Sequence, residues 1–157
     1  MRIRLLTALL PLALVACGGG GAPPPSSGGS DTAQEAVSRI GDVTIRATAV
    51  PTTTLSEQVA TQYGITRADS TVMLLIGVRQ GSDAQEVALP ARITATVSDL
   101  RGRRQDIAMR ELRSGELLDY VGTVEVSPPE TLRFDLTVVR DGGASSTMQF
   151  TRDFYPR

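Results

Sequence analysis

This chain of 157 residues contains no His, no Trp, no Lys and no Asn, and it carries a single cysteine. Each absence removes a class of chemistry. Without His or a second Cys, neither a Cys/His zinc or copper site nor a Ser-His-Asp or Cys-His catalytic arrangement can be assembled. Without Lys there is no Schiff-base nucleophile and no phosphate-gripping lysine of the Walker type. Chemistry built on carboxylates alone survives, such as a glycosidase pair or an oxygen-ligated calcium site. The acids Asp42, Asp69, Glu86, Asp106, Glu125 and Asp135 are scattered singly, however, and no Asp-x-Asp-x-Asp loop gathers them. They read as solvated strand and turn residues, so no catalytic residue, metal or cofactor is expected and the chain is not read as an enzyme. Setting aside Arg2 and Arg4 leaves 14 Arg against 17 acids, and there are three Phe and three Tyr. A mildly acidic domain with so few aromatics argues against nucleic acid as a partner.

What is present begins with an address. Arg2 and Arg4 precede twelve uncharged residues, 5–16, mostly Leu and Ala. This is the plan of a signal peptide; a spanning helix needs about 20 apolar residues, and this run stops in glycine. Leu14-Val15-Ala16-Cys17 resembles the bacterial lipobox, whose cysteine receives a diacylglyceryl group before cleavage. An ordinary secreted protein would be left with an unpaired thiol in an oxidising compartment, whereas lipidation explains the residue. Residues 1–16 are therefore expected to be a lipoprotein signal peptide and Cys17 the lipidated N-terminus. Its acyl chains, palmitate among them, would be a stable membrane anchor. Gly18 rather than Asp after the cysteine points to the periplasmic face of the outer membrane.

The tether follows, residues 17–35. Gly18 to Ser30 reads GGGGAPPPSSGGS, with no charge and no large apolar side chain, which cannot offset the entropy of ordering. Beyond it about 125 residues remain, one domain by length, assigned to residues 36–157.

From Gly41 onward the dominant pattern is period-two alternation. Val43, Ile45, Ala47 and Ala49 alternate with Thr44, Arg46 and Thr48, and the same holds around Ile93 to Val97 and Leu132 to Val138. Residues 72–78, apolar on both parities, predict a central strand covered on both sides. Further strands are expected over 104–112, 118–126 and 147–154, with Gly81-Ser82, Arg101-Gly102, Pro128-Pro129 and Gly142-Gly143 as turns. The expected fold is all-β: an antiparallel, immunoglobulin-like β-sandwich of about seven strands, with one short helix between the first two. That helix is placed at residues 56–63, with Thr54 and Glu57 as a capping box and Gly64 as its left-handed stop. It reads as a plug over an open edge or end of the sandwich; the alternative is a binding lip, with Tyr63 and Arg67 at a pocket mouth where Arg67 would grip a carboxylate or phosphate. Residues 31–39 could add a short frayed helix. Arg101-Gly102-Arg103-Arg104 reads as a solvated hairpin whose charges guard an edge, the alternative being contact with anionic headgroups.

Residues 49–78, AVPTTTLSEQVATQYGITRADSTVMLLIGV, are similar to the opening of the bacterial domain-of-unknown-function family 4426, with Pro51, Thr52, Thr53, Leu55, Tyr63, Gly64, Ile65 and Arg67 in its places. The break at Asp99-Leu100-Arg101-Gly102 and the closing strand 150–155 extend the resemblance over residues 40–157. It implies a small exported β-sandwich and no catalytic set. The expected function is a membrane-anchored, non-enzymatic binding or accessory module for another envelope protein. A small-ligand carrier with its pocket near Tyr63 and Arg67 is the alternative, and a carboxylate-only hydrolase the third reading.

Overall fold

The computed structural model describes residues 35–156 apart from residue 83; the signal segment, Cys17 and the tether up to residue 34 lie outside the described residues. Ten strands form two antiparallel sheets: β1 (Ala36–Ile40), β2 (Val43–Pro51), β3 (Thr71–Gln80), β4 (Val87–Ala88), β5 (Ala91–Asp99), β6 (Arg104–Ile107), β7 (Arg110–Ser114), β8 (Leu117–Glu125), β9 (Glu130–Arg140) and β10 (Ser145–Phe154). The first sheet runs β1-β2-β3-β8-β7, with β4 also paired to β3, and the second runs β10-β9-β5-β6. Alternation turns one parity of each strand inward: Val43, Ile45, Ala47 and Ala49 of β2, Val72, Leu74, Ile76 and Val78 of β3, and Leu132, Phe134, Leu136 and Val138 of β9 all join one buried cluster. The Phe134 and Phe150 rings stack at 4.9 Å within it.

Three local expectations are corrected. Residues 36–40 are a strand, not part of a frayed helix: the two-residue Gly41-Asp42 turn, with Gly41 at φ 62°, folds β1 back along β2 from Ile40↔Val43 to Ala36↔Ala47. Cross-strand pairing outweighs the weak propensity of an uncapped short helix. Second, residues 104–112 are not one strand. β6 ends at Ile107 in the second sheet, and the chain crosses at 108–109 to become β7 of the first. The crossing passes over Gly122 on β8, where a Cβ would stand 2.9 Å from the Ala108 carbonyl oxygen and 2.7 Å from the Ile107 side chain. These two changes, with β4, make ten strands rather than seven and place the helix between β2 and β3.

Third, the cap shifts. Helix α1 spans Glu57–Gln62, and its N-cap is Ser56, whose hydroxyl accepts the Val59 N–H at 3.2 Å. Thr54 instead donates to the Pro51 carbonyl at 2.7 Å, across a 3-10 turn at Thr52–Thr54. Gly64, at φ 60°, ends α1 as expected: Ile65 N–H bonds the Ala60 carbonyl at 2.8 Å and Gly64 N–H bonds that of Thr61 at 3.0 Å, a Schellman stop. The helix buries Ala60. Arg110 of β7 donates to the Tyr63 carbonyl and shares the outward parity of its register partner Val121. The end of α1 is therefore tied to β7, an edge strand of the first sheet, on the outward face where Met73 and Val121 are buried.

Candidate functional site

The residues singled out by sequence are mostly engaged with their own chain. Arg67 donates to the Thr53 carbonyl at 3.1 Å and lies 3.9 Å from Glu57, bracing the turn before α1. Tyr63 caps the helix C-terminus. Neither residue lines any of four cavities found between 320 and 590 Å³. The scattered acids stay apart: Asp42 accepts from Gln80, Glu86 from Arg46, Glu125 from Thr71, and Asp135 from Gln149. Among the described residues no three acids, Cys or His gather as metal ligands. The arginine hairpin is tied down, with Arg103 held by Asp99 at 2.5 Å and 3.6 Å from Glu130, and Arg104 donating to Thr96 at 3.2 Å.

The largest of the four cavities, about 590 Å³, was not legible from sequence. It opens between the sheets on the side of β6 and β7. Tyr120 of β8 and its register partner Glu111 of β7 face it from the first sheet, and Ala91 and Ile93 of β5 and Arg140 of β9 from the second. Parity explains the arrangement. Arg140 follows Val138 on the inward side of β9, and Glu111, the register partner of inward Tyr120, lies on the inward side of β7, so two strand ends turn charge toward the gap between the sheets. Glu111 is neutralised by Arg113 at 3.0 Å.

Tyr120 spans the gap. It is 3 % exposed, and its hydroxyl accepts the Ala91 N–H at 2.7 Å. Burial raises its pKa above the usual phenol value, the Ala91 bond opposes that, and the Glu111 charge adds to it. A neutral phenol that already accepts one bond keeps its proton to donate to a ligand. The cleft thus offers a phenol donor, the guanidinium groups of Arg92 and Arg140 and the carboxylates of Glu111 and Asp141 around an apolar wall of Ile93, Met109 and Val139. Such a mixture binds and orients a ligand.

The model of the DUF4426 family, a domain of unknown function, matches residues 37–157. The chain is similar in structure to a DUF4426 family protein of Pseudomonas aeruginosa PAO1, with a TM-score of 0.68 and 21% identity over 78% of this chain and 96% of that one. It is also similar to FetP of uropathogenic Escherichia coli strain F11, recombinantly expressed in the periplasm of E. coli BL21(DE3), with a TM-score of 0.56 and 8% identity over 78% and 94%. A copper-bound FetP variant matches with a TM-score of 0.53 and 7% identity over 78% and 95%. At these identities the likeness is one of fold. No curated protein matches the sequence.

Proposed function

The chain belongs to the DUF4426 family, a domain of unknown function, and from that membership and the geometry above we propose that it is a non-enzymatic binding module of the cell envelope, anchored through acyl chains on Cys17, that holds another envelope protein at the cleft beside Tyr120. The observation that carries this reading is the convergence of Tyr120, Glu111 and Arg140 from two sheets on one open cavity of about 590 Å³. The lipobox supports the compartment. Among the described residues no helix is long and apolar enough to cross a membrane. The absence of His and Lys, and the pairing of Glu111 with Arg113, support binding rather than catalysis. The copper of the FetP variant is not carried over, because this chain has no imidazole and its one thiol is Cys17.

The test is quantitative co-purification of the full-length protein from its own envelope. Glu111 is exposed, so Glu111→Trp plants a ring in the cleft mouth without disturbing the core. A partner recovered with the wild type and with Arg67→Gln, but lost with Glu111→Trp, is the expected result. Equal recovery with all three proteins would remove the cleft as the binding site.

A further inference from the structure

The second sheet is incomplete along one edge. β6 holds four residues and pairs with β5 only from Ala95 to Ser98. Residues 91–94 of β5 are bonded to β9 on one side, and among the described residues no strand pairs with their other side. The phase of the free edge follows from the hairpin that closes it. Asp99 N–H bonds the Arg103 carbonyl at 3.1 Å. In an antiparallel ladder, alternate residues bond to the same neighbour, so Asp99, Val97 and Ala95 turn their peptide groups toward β6. The β9–β10 hairpin agrees: Arg140 N–H bonds the Ala144 carbonyl at 2.9 Å, which leaves the odd residues of β9 for the even residues of β5. Ile93 therefore directs its N–H and C=O to the side that β6 vacates, into the rim of the cleft. The opposite rim is similar. The two-residue turn after Ser114 closes on Leu117, so Glu111 directs its peptide groups away from β8.

We infer that this recess receives an extended segment of the partner protein, laid antiparallel to β5 in the line that β6 abandons, so that the second sheet is completed by strand addition. The inference rests on the cleft being the partner site. Its free stretch is short, bounded by Ala91, whose N–H is already taken by the Tyr120 hydroxyl, and by β6, so that the Ile93 N–H and C=O and the Ala91 C=O are the groups it offers. A recess that short between two sheets admits one narrow chain and excludes the straight edge of a second folded copy. Side chains of the added strand alternate. Those turned inward meet Ile93, Met109 and Tyr120 and must be small or apolar. Those turned outward pass Arg92, which is exposed and in no ion pair among the described residues, so an acidic residue is complementary there.

The experiment places a photoreactive benzoylphenylalanine at exposed Thr94 of the full-length protein in its own cells, and maps adducts by mass spectrometry. The expected adduct is with one segment of an envelope protein that alternates small apolar and polar residues and includes an acid. Ile93→Pro removes the edge N–H at a position where proline fits an edge strand, and should lower the adduct about tenfold; Ile93→Val should keep it. In the purified protein, a synthetic peptide of the mapped segment should slow deuterium exchange of the Ile93 amide at least tenfold. An adduct undiminished by Ile93→Pro but lost in Glu111→Trp, or unchanged Ile93 exchange, would overturn strand addition and leave the cleft as the partner site. An adduct with a second copy, or with residues 18–30 of the same chain, would overturn it as well. No adduct from the otherwise wild-type protein would overturn both readings.

Discussion

The Tyr120 hydroxyl on β8 accepts the backbone N–H of Ala91 on β5 at 2.7 Å, a hydrogen bond that runs from one sheet to the other at the mouth of the cleft. Ala91 is paired with Arg140 of β9 on its far side. The bond thus ties the two sheets together beside the Ile93 and Glu111 peptide groups that face the cleft.

Tyr120→Phe leaves the Ala91 N–H without its partner and should cost about 1–3 kcal/mol in urea denaturation. The pH dependence has a definite sign. Because burial raises the phenol pKa on folding, the folded state keeps a proton that the unfolded state releases, so its contribution is intact below the unfolded value of about 10 and declines as pH rises past it. The wild type should lose stability between about pH 9 and 11 with a steeper slope than Tyr120→Phe; equal slopes would show that the phenol is not buried in solution.

Gly122→Ala should destabilise by roughly 1–3 kcal/mol although both residues are small. The new methyl would lie 2.7 Å from the Ile107 side chain, 2.8 Å from Met109 sulfur and 2.9 Å from the Ala108 carbonyl oxygen. The last is backbone and cannot swing aside. A thermal midpoint unchanged from wild type would mean that the crossing at 108–109 does not pass over Gly122.

At Asp99, burial raises the carboxyl, but the Arg103 side chain and the N–H groups of Arg103 and Arg101 together hold it below the usual carboxylate range. A carboxyl lowered by folding stabilises above its unfolded pKa, about 3.9, and that contribution is lost as pH falls through the folded value. Asp99→Asn should therefore melt below wild type near neutral pH, and the difference should close in acid. Arg101→Gln, at an exposed position, should change stability by less than about 0.5 kcal/mol.

Metabolic labelling with palmitate should mark the wild type and leave Cys17→Ser unlabelled, because Cys17 is the one thiol in the chain. Label retained in Cys17→Ser would place the acyl chain elsewhere and remove the anchor.

Alternation along β2, β5 and β9 was legible because a strand half-buried in a sandwich writes its two faces into adjacent residues. Gly64 was legible for the same local reason, as it alone tolerates the left-handed stop. The cap at Ser56 was missed because Thr54 and Ser56 satisfy similar cap rules, and the hydroxyl of Thr54 is taken by the Pro51 carbonyl. The break in residues 104–112 was missed because their pattern is the same whether or not they remain in one sheet.

The sequence by itself determined the all-β class and the exclusion of histidine and lysine chemistry, since each depends on residue types and spacings within a few positions. Only the tertiary structure decided where binding can occur. The cleft joins Glu111 and Tyr120 on one sheet to Ala91, Ile93 and Arg140 on the other, side chains up to 49 positions apart that meet because β6 stops after four residues and the chain changes sheets. The crossing that follows that stop packs over Gly122, a long-range contact that leaves no periodic mark in the residues that make it.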